Sequence, residues 1–549
     1  MAAHRSRIAL AVLLVFLARA RPAAAWETRI TRGDLQDFAA AVVTDAAGNV
    51  FAAGRTGIDD TSEFTVVKLD AVTGAILWEQ VVSTDCNRAR ALAVDAAGDV
   101  IAAGNTLGDC DDLPGLFTVV KLDGATGAER WRAAARAGAA WAVAVDAAGD
   151  VVAAGTGAAP DDVYPGNLAV VKLDGTTGAE RWRHLAGVGW AAAVALDAEG
   201  DAVAAGALEG TTEYDLAVVK LDGTTGAVRW ARTLDGSAND HDAARAVAID
   251  AVGDVLAAGI TRNTGTEIDF TVVKLAGASG AELWRQALDG TGTLYPFDDE
   301  ATAVALDASG DVVAAGILDE LGTEPDFAVV KLAGGDGTVR WRRTLAGTET
   351  GYDAATDLAL DQAGDVVAAG WLRNAGSGLD FTVAKLAGAD GGTLWRAERR
   401  GSGAGTDSAL AVALDPAGDV VAAGTVHDDL TDDDFAVVKL DGTTGTDYPC
   451  GPLCRLDVFA ALVREAPTAT IHPATARQLL RRVERIRELV TDAESRHRRQ
   501  RAARRRQAAQ QLRVLALAVR HGVRSGRIDP QLGRRLLDVL APPVGPPVL

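Results

Sequence analysis

All eight lysines of this chain stand at one position of a repeat. Lys68, Lys121, Lys172, Lys220, Lys274, Lys331, Lys385 and Lys439 each sit in a V-[VA]-K-L segment, 48 to 57 residues apart, while the other cations among its 54 Lys+Arg are arginine. A slot that takes the slim ammonium and never the broad guanidinium fork is narrow and fixed by its neighbours. Eight copies of one supersecondary unit constrain the fold more tightly than any composition does. They also imply that the repeated residues are architecture, so that function lies where the repeats differ.

The unit consists of two hairpins. The first, as in Ala303-Val-Ala-Leu-Asp-Ala-Ser-Gly-Asp-Val-Val-Ala-Ala-Gly316, has two apolar runs about an Asp-x-x-Gly-Asp turn, where Gly supplies the positive φ of a tight reversal. The second, as in Leu168-Ala-Val-Val-Lys-Leu-Asp-Gly-Thr-Thr-Gly-Ala-Glu-Arg-Trp182, turns at Asp-Gly-Thr-Thr-Gly. Two hairpins give four antiparallel strands in about 50 residues, the size of one propeller blade. The runs are apolar on both faces, as expected of sheets buried between neighbouring sheets.

The first hairpin opens at Asp45, Asp95, Asp146, Asp197, Asp250, Asp307, Asp361 and Asp415. The Trp strand follows the first seven Lys strands, at Trp78, Trp131, Trp182, Trp230, Trp284, Trp341 and Trp395. After Lys439 the expected position is Pro449, and the missing strand stands at the other end as Trp26-Glu-Thr-Arg-Ile30. The expected fold is therefore all-β: an eight-bladed β-propeller over residues 26–447, closed by its N-terminal strand, which leaves no exposed sheet edge. Each buried lysine needs an anionic partner. The first-hairpin Asp of the same or the adjacent blade has the matching count, which makes the lysines a structural ring.

The pattern D-F-[AT]-V-V-K-L-D…G…W…A-V-A-L-D-x-x-G-D-V-V-A-A-G resembles the bacterial β-propeller repeat family called SBBP. Its L-D-G-x-T-G-x-x-x-W half is similar to the tryptophan-docking motif of eight-bladed quinoprotein propellers. The resemblance implies that each Trp packs between adjacent blades, against the Gly turn of a neighbour. It covers roughly residues 26–447 and speaks for fold; one propeller serves many tasks.

Residues 1–25 have the pattern of a secretory signal: His4, Arg5 and Arg7, an apolar run from Ile8 to Ala18 too short to span a bilayer, and Ala23-Ala24-Ala25 as a small-residue cleavage site. Export to the periplasm or beyond is expected, and four cysteines suit an oxidising compartment. Cys86 and Cys110 fall in connections that open on the same propeller face, so a bridge between them is expected. Cys450 and Cys454, in C-G-P-L-C, read as a local disulfide, with a redox or metal pair the alternative.

Charge divides the chain. Residues 26–445 carry 30 Lys+Arg against 66 Asp+Glu, and residues 446–549 carry 20 Arg against 9 Asp+Glu. The acidic part is unsuited to nucleic acid or anionic lipid. Loop acids recur before the Lys strand (Asp215, Asp269, Asp326, Asp380, Asp434) and before the first strand (Asp242, Asp299, Asp353, Asp407). They read either as turn caps or as a cation-attracting rim. Residues 448–540 form a second, basic unit with helical periodicity at 456–466, 474–493, about 500–523 and 530–540. Leu479, Leu480, Val483, Ile486 and Val490 make one apolar face, and Leu512, Val514, Leu515, Leu517 and Val519 a broader one. The segment from Gly526 to Leu537 faintly resembles FIMAH-type helical modules. Seven arginines between Arg496 and Arg506 suggest docking on the acidic propeller. The tail 541–549, with four prolines, is expected to be disordered.

Catalytic patterns are scarce. The seven histidines show no ligand spacing, and neither a G-x-S-x-G elbow nor a P-loop occurs. The first strands are mostly Ala, Val and Leu, which places no polar groups about a cofactor. The repeats differ most in the third and fourth blades. There Trp131 to Asp146 and Trp182 to Asp197 span 15 residues, against 20 to 23 in the later blades, and each has an extra tryptophan, Trp141 and Trp190. These two are the candidate ligand or partner patch, or else fill the gap left by short loops. The sequence thus points to an exported, non-enzymatic binding or assembly scaffold without a cofactor, its ligand or protein partner unidentified. The alternative is a quinone- or metal-dependent enzyme using the propeller funnel.

Overall fold

The computed structural model describes residues 25–446 apart from 33–35, 59–60, 85–86, 107–114, 136, 159–165, 291–298, 320–323, 403–404 and 429–431, and beyond them residues 460, 463, 471–494, 498–529, 532 and 536–537. All four cysteines fall outside these residues, as do the leader and the tail, so the disulfide expectations concern nothing described here.

Each repeat folds as two successive hairpins laid side by side. In the first repeat β2 (Phe38–Thr44), β3 (Val50–Ile58), β4 (Thr61–Leu69) and β5 (Ile76–Ser83) pair in chain order, all antiparallel. The turn between β2 and β3 forms because the Asp45 carboxylate accepts the backbone N–H groups of Ala47 and Asn49, while Gly48 takes φ 81°. The first strands of the following repeats are β6 (Arg88–Val94), β10 (Gly138–Val145), the second half of β13 (Glu180–Leu196), β17 (Ala243–Ile249), β21 (Glu300–Leu306), β25 (Ala354–Leu360) and β29 (Ser408–Leu414). Neighbouring first strands touch along the whole series, and β29 touches β2. They therefore gather about a common axis, in the arrangement of a β-propeller. Every repeat buries Val and Ala from its second and third strands between neighbouring sheets, so the core is a set of flat inter-sheet layers.

Two features depart from a plain series. The connection between the third and fourth repeats is so short that β13 runs unbroken over 17 residues. Its first half pairs with β12 (Asn167–Leu173) and its second half with β14 (Ala202–Glu209), which merges two repeats into one seven-stranded sheet. In the eighth repeat β29, β30 (Val420–Asp428) and β31 (Asp432–Leu440) are joined by β1 (Trp26–Ile30), with Trp26 opposite Lys439.

Beyond the sheets lie α1 (Pro473–Glu494) and α2 (Arg498–Arg524). Leu479, Val483, Ile486, Leu515 and Val519 form their buried core, as the helical periodicity predicts. Leu517 departs from it: the residue is 62% exposed, because two steps along a helix from Leu515 turn it about 200° away from the core. Val490 and all side chains of the Arg496–Arg506 run lie outside the described residues. Val72, Ala75 and Leu77 of the first repeat pack against this helical core.

Candidate functional site

The lysines occupy a common environment. Each Nζ lies 2.6 to 3.0 Å from the first-hairpin Asp of its own repeat, in the pairs Lys68–Asp45, Lys121–Asp95, Lys172–Asp146, Lys220–Asp197, Lys274–Asp250, Lys331–Asp307, Lys385–Asp361 and Lys439–Asp415. Each Nζ also donates, at 2.7 to 3.2 Å, to a backbone carbonyl in the second-hairpin turn of the next repeat. That carbonyl accepts a second bond, at 2.9 to 3.3 Å, from an indole Nε1. For seven joins the carbonyl belongs to Gly124, Gly175, Gly223, Gly277, Gly334, Gly388 or Gly442; for the eighth it is Ala71, and the indole is Trp26. The indoles press against a second turn glycine. At Gly127 a Cβ would stand 2.7 Å from the Trp78 ring, and φ there is 75°. A compact ammonium with three donors can face a carboxylate and a carbonyl at once; the planar guanidinium fork cannot turn between them. Burial pushes Asp45, Asp95, Asp146, Asp250, Asp307 and Asp361 up, yet hydrogen bonds, led by Asn49 at Asp45 and by the lysine at the other five, hold them below the usual carboxylate range, Asp307 at about 2.

Asp37, Asp242, Asp299, Asp353 and Asp407 serve a different purpose. Each carboxylate accepts two backbone N–H bonds of 2.5 to 2.9 Å, one from the connection that leaves the preceding repeat and one from the second strand of its own. Burial raises them against those bonds, Asp37 to about 7 and Asp242, Asp299 and Asp353 to about 6. Of the acids before the Lys strand, Asp380 accepts bonds from Asn374 and Ser377 and pairs with Arg400, and Asp434 accepts one from Thr31. Two groups could offer a cation three ligand atoms: Asp215, Asp235 and Asp242, and His427, Asp432 and Asp433.

The two extra tryptophans meet. Trp141 on β10 and Trp190 on β13 have ring centroids 6.5 Å apart. Trp190 stacks on His241 at 5.7 Å and 22°, and Tyr214 lies 5.0 Å from Trp190. On the other flank the Arg90 guanidinium covers Trp141 at 5.3 Å. The row thus runs across four consecutive repeats. Trp141 and Arg90 fill the same place, the residue that bulges from the first strand between two paired alanines. Trp190 and Arg88 likewise share a register position, opposite Ala207 and Asn105. The Nε1 atoms of Trp141 and Trp190 and the Nε of Arg90 are buried and have no hydrogen-bond partner among the described residues. Arg55, Arg88 and Arg90 lack a carboxylate partner among them too, whereas Arg130, Arg181 and Arg229 each bridge two aspartates. Burial, and then Arg88, lowers Arg90 to about 10; burial, and then Arg55, lowers Arg88. Burial, and then Arg245 and Arg262, lowers His241, which keeps the imidazole neutral at pH 7.

Motif reading alone finds Trp141 and Trp190 and misses Arg90, Tyr214 and His241. The signal for Arg90 is present in A-x-A before the Asp turn of every repeat but the seventh, where x is Arg90, Trp141, Arg245 or Thr302 in different repeats. Asp357 was missed too. It occupies the paired position that is Ala303 or Ala411 in neighbouring repeats, and accepts N–H bonds from Val412 and Leu358. Enclosure raises it to about 6 against those bonds.

The geometry defines a β-propeller. A family model described as outer membrane protein assembly factor BamB matches residues 62–266. No curated protein matches the chain. Among solved structures, BamB from Moraxella catarrhalis is 15% identical, with 76% of this chain and 98% of that one covered and a TM-score of 0.46. Sqt1 from Chaetomium thermophilum, bound to the N-terminus of ribosomal protein L10, is 13% identical, with 75% and 99% covered and a TM-score of 0.49. Quinohemoprotein alcohol dehydrogenase from Comamonas testosteroni is 13% identical, with 80% of each chain covered and a TM-score of 0.49. No described helix is long and apolar enough to cross a membrane.

Proposed function

We propose that this chain is an exported eight-bladed β-propeller, closed by its N-terminal strand, that works as a non-enzymatic binding or assembly scaffold and carries a small helical unit after residue 447. Closure is supported by the pairing of β1 with β31 and by Trp26, which supplies the eighth indole bond in the place where seven other repeats supply their own. The lysine–aspartate pairs, used alike in all eight repeats, are read as structural: each spends its donors on joining one sheet to the next. The helical unit docks on the first blade, with Val72, Ala75 and Leu77 packed against its apolar core.

The observation that carries the scaffold reading is the row Arg90–Trp141–Trp190–His241, where aromatic faces and unanswered donors gather on the blades with the shortest loops. Aromatic and arginine side chains are the residues that anchor interfaces. The test is affinity capture from the native envelope by the parent protein and by a Trp141→Ala/Trp190→Ala variant of unchanged melting temperature. A partner retained by the parent and lost by the variant is expected. An identical set of retained partners overturns the assignment of the patch.

A further inference from the structure

We infer that the Arg88–Arg90–Trp141–Trp190 rim binds an acidic sugar, a uronate-type saccharide with its carboxylate on the arginines and its ring over the indoles. This deepens the scaffold reading and rests on it.

Charge supplies the first argument. Residues 26–445 hold more than twice as many acids as cations, and Arg130, Arg181 and Arg229 on outer strands take two acids each. Against that background Arg55, Arg88 and Arg90 stand together with no carboxylate among the described residues, near enough to one another for mutual repulsion to lower Arg88 and Arg90. A guanidinium nitrogen removed from water without an acceptor is costly, and Arg90 Nε is buried and unpartnered among the described residues, so the cluster points to an anion supplied from outside. The planar fork of Arg matches a carboxylate bidentately.

The donor inventory supplies the second argument. Arg90 Nε, Trp141 Nε1 and Trp190 Nε1 all donate, and none has an acceptor among the described residues. Indole and guanidinium nitrogens can only donate. The fitting ligand is therefore rich in oxygen acceptors and brings few fixed donors of its own. A sugar acid meets this with ring, hydroxyl and carboxylate oxygens. A peptide would bring backbone N–H groups for which the row offers few acceptors. The third argument is shape. Two indoles 6.5 Å apart, continued by Tyr214 and His241, make an extended apolar track that suits consecutive sugar rings rather than a single small anion.

The experiment titrates the full chain with trigalacturonate, with a neutral trisaccharide of the same size and with a short polyglutamate, followed by tryptophan fluorescence and calorimetry. Trigalacturonate is expected to bind, at least tenfold more tightly than the neutral sugar, with affinity falling as salt rises. Arg88→Gln, an exposed position that spares the core, is expected to weaken binding at least tenfold; Trp190→Ala should remove the fluorescence change. No binding of trigalacturonate at millimolar concentration, equal binding of the neutral sugar, tighter binding of polyglutamate, or indifference to Arg88→Gln each overturns the inference. If the envelope partner depends on Trp141 and Trp190 while trigalacturonate never binds, the sugar assignment falls and the scaffold reading stands.

Discussion

Replacing Lys274 by Met tests whether the repeated lysine is structural. Met keeps the length and packing of the stem and deletes the charge. The ammonium is 11% exposed, lies 2.8 Å from Asp250 and 3.6 Å from Asp254, and donates to Gly334 O at 3.1 Å. Its loss leaves two carboxylates facing each other without a cation. Three features soften the damage. Asp250 keeps the N–H bonds of Val252 and Asp254, and the Gly334 carbonyl keeps the Trp284 indole at 3.2 Å. Breaking a buried pair costs about 3–5 kcal/mol, so the lower end, about 3 kcal/mol at pH 7, is expected. Burial pushes Asp250 up, but the Lys274 bond and backbone N–H groups hold it below its ordinary value. A depressed carboxylate contributes stability that is present above its unfolded pKa and lost as pH falls through the folded one. The deficit of Lys274→Met should therefore shrink in acid. Equilibrium urea unfolding at pH 7 and pH 3, with Lys274→Met, Asp250→Asn and the double variant as a cycle, reads this directly. A deficit under about 0.5 kcal/mol at pH 7, or additivity in the cycle, would falsify the pairing as a source of stability.

Three further outcomes are expected. Trp26→Ala should cost about 3 kcal/mol or more, close to the cost of Trp230→Ala, because the two indoles make the same bond and are 7% and 8% exposed; a near-neutral Trp26→Ala would mean that β1 does not close the ring. Asp357→Ala restores the residue found in neighbouring repeats. Since enclosure raises Asp357 from 3.8 to about 6, roughly 3 kcal/mol is the most it can withhold at pH 8. A raised carboxylate favours folding below its unfolded pKa and loses that contribution as pH climbs through about 6, so the variant should gain more at pH 8 than at pH 4; equal gains at both would refute the assignment. Leu77→Arg places in the first repeat the residue that stands at Arg130 and Arg181, and should release the helical unit to limited proteolysis while the sheets stay intact. Helices as resistant as in the parent would place the contact elsewhere.

The fold was legible because one short rule is written eight times. Alternating hairpin turns and apolar runs set the four strands, and the missing Trp after Lys439 pointed to Trp26. The lysine's acidic partner was legible by counting, since only the first-hairpin Asp matches the lysines in number. Its second partner was not: a turn carbonyl has no letter in the sequence. The same limit applies to the rim. Trp141 and Trp190 stood out as additions to the repeat, but Tyr214 and His241 reach Trp190 from a strand and a loop whose approach depends on the unbroken course of β13. Nor did composition single out the first repeat, whose Val72, Ala75 and Leu77 pack against the helical core.

The joins between repeats have a direction. Each unit presents its ammonium and indole on one side and its turn carbonyl on the other, so donors always point from one repeat to the next in chain order. A tile with a plug on one edge and a socket on the other can be copied without redesign. A duplication or loss of one 50-residue unit would leave every remaining join chemically unchanged and alter only the curvature of the circle. The one irreplaceable join of the proposed ring is the last, where plug and socket come from opposite ends of the repeat series. Trp26 and Lys439 meet Ala71 there, and at that point such a ring would open first.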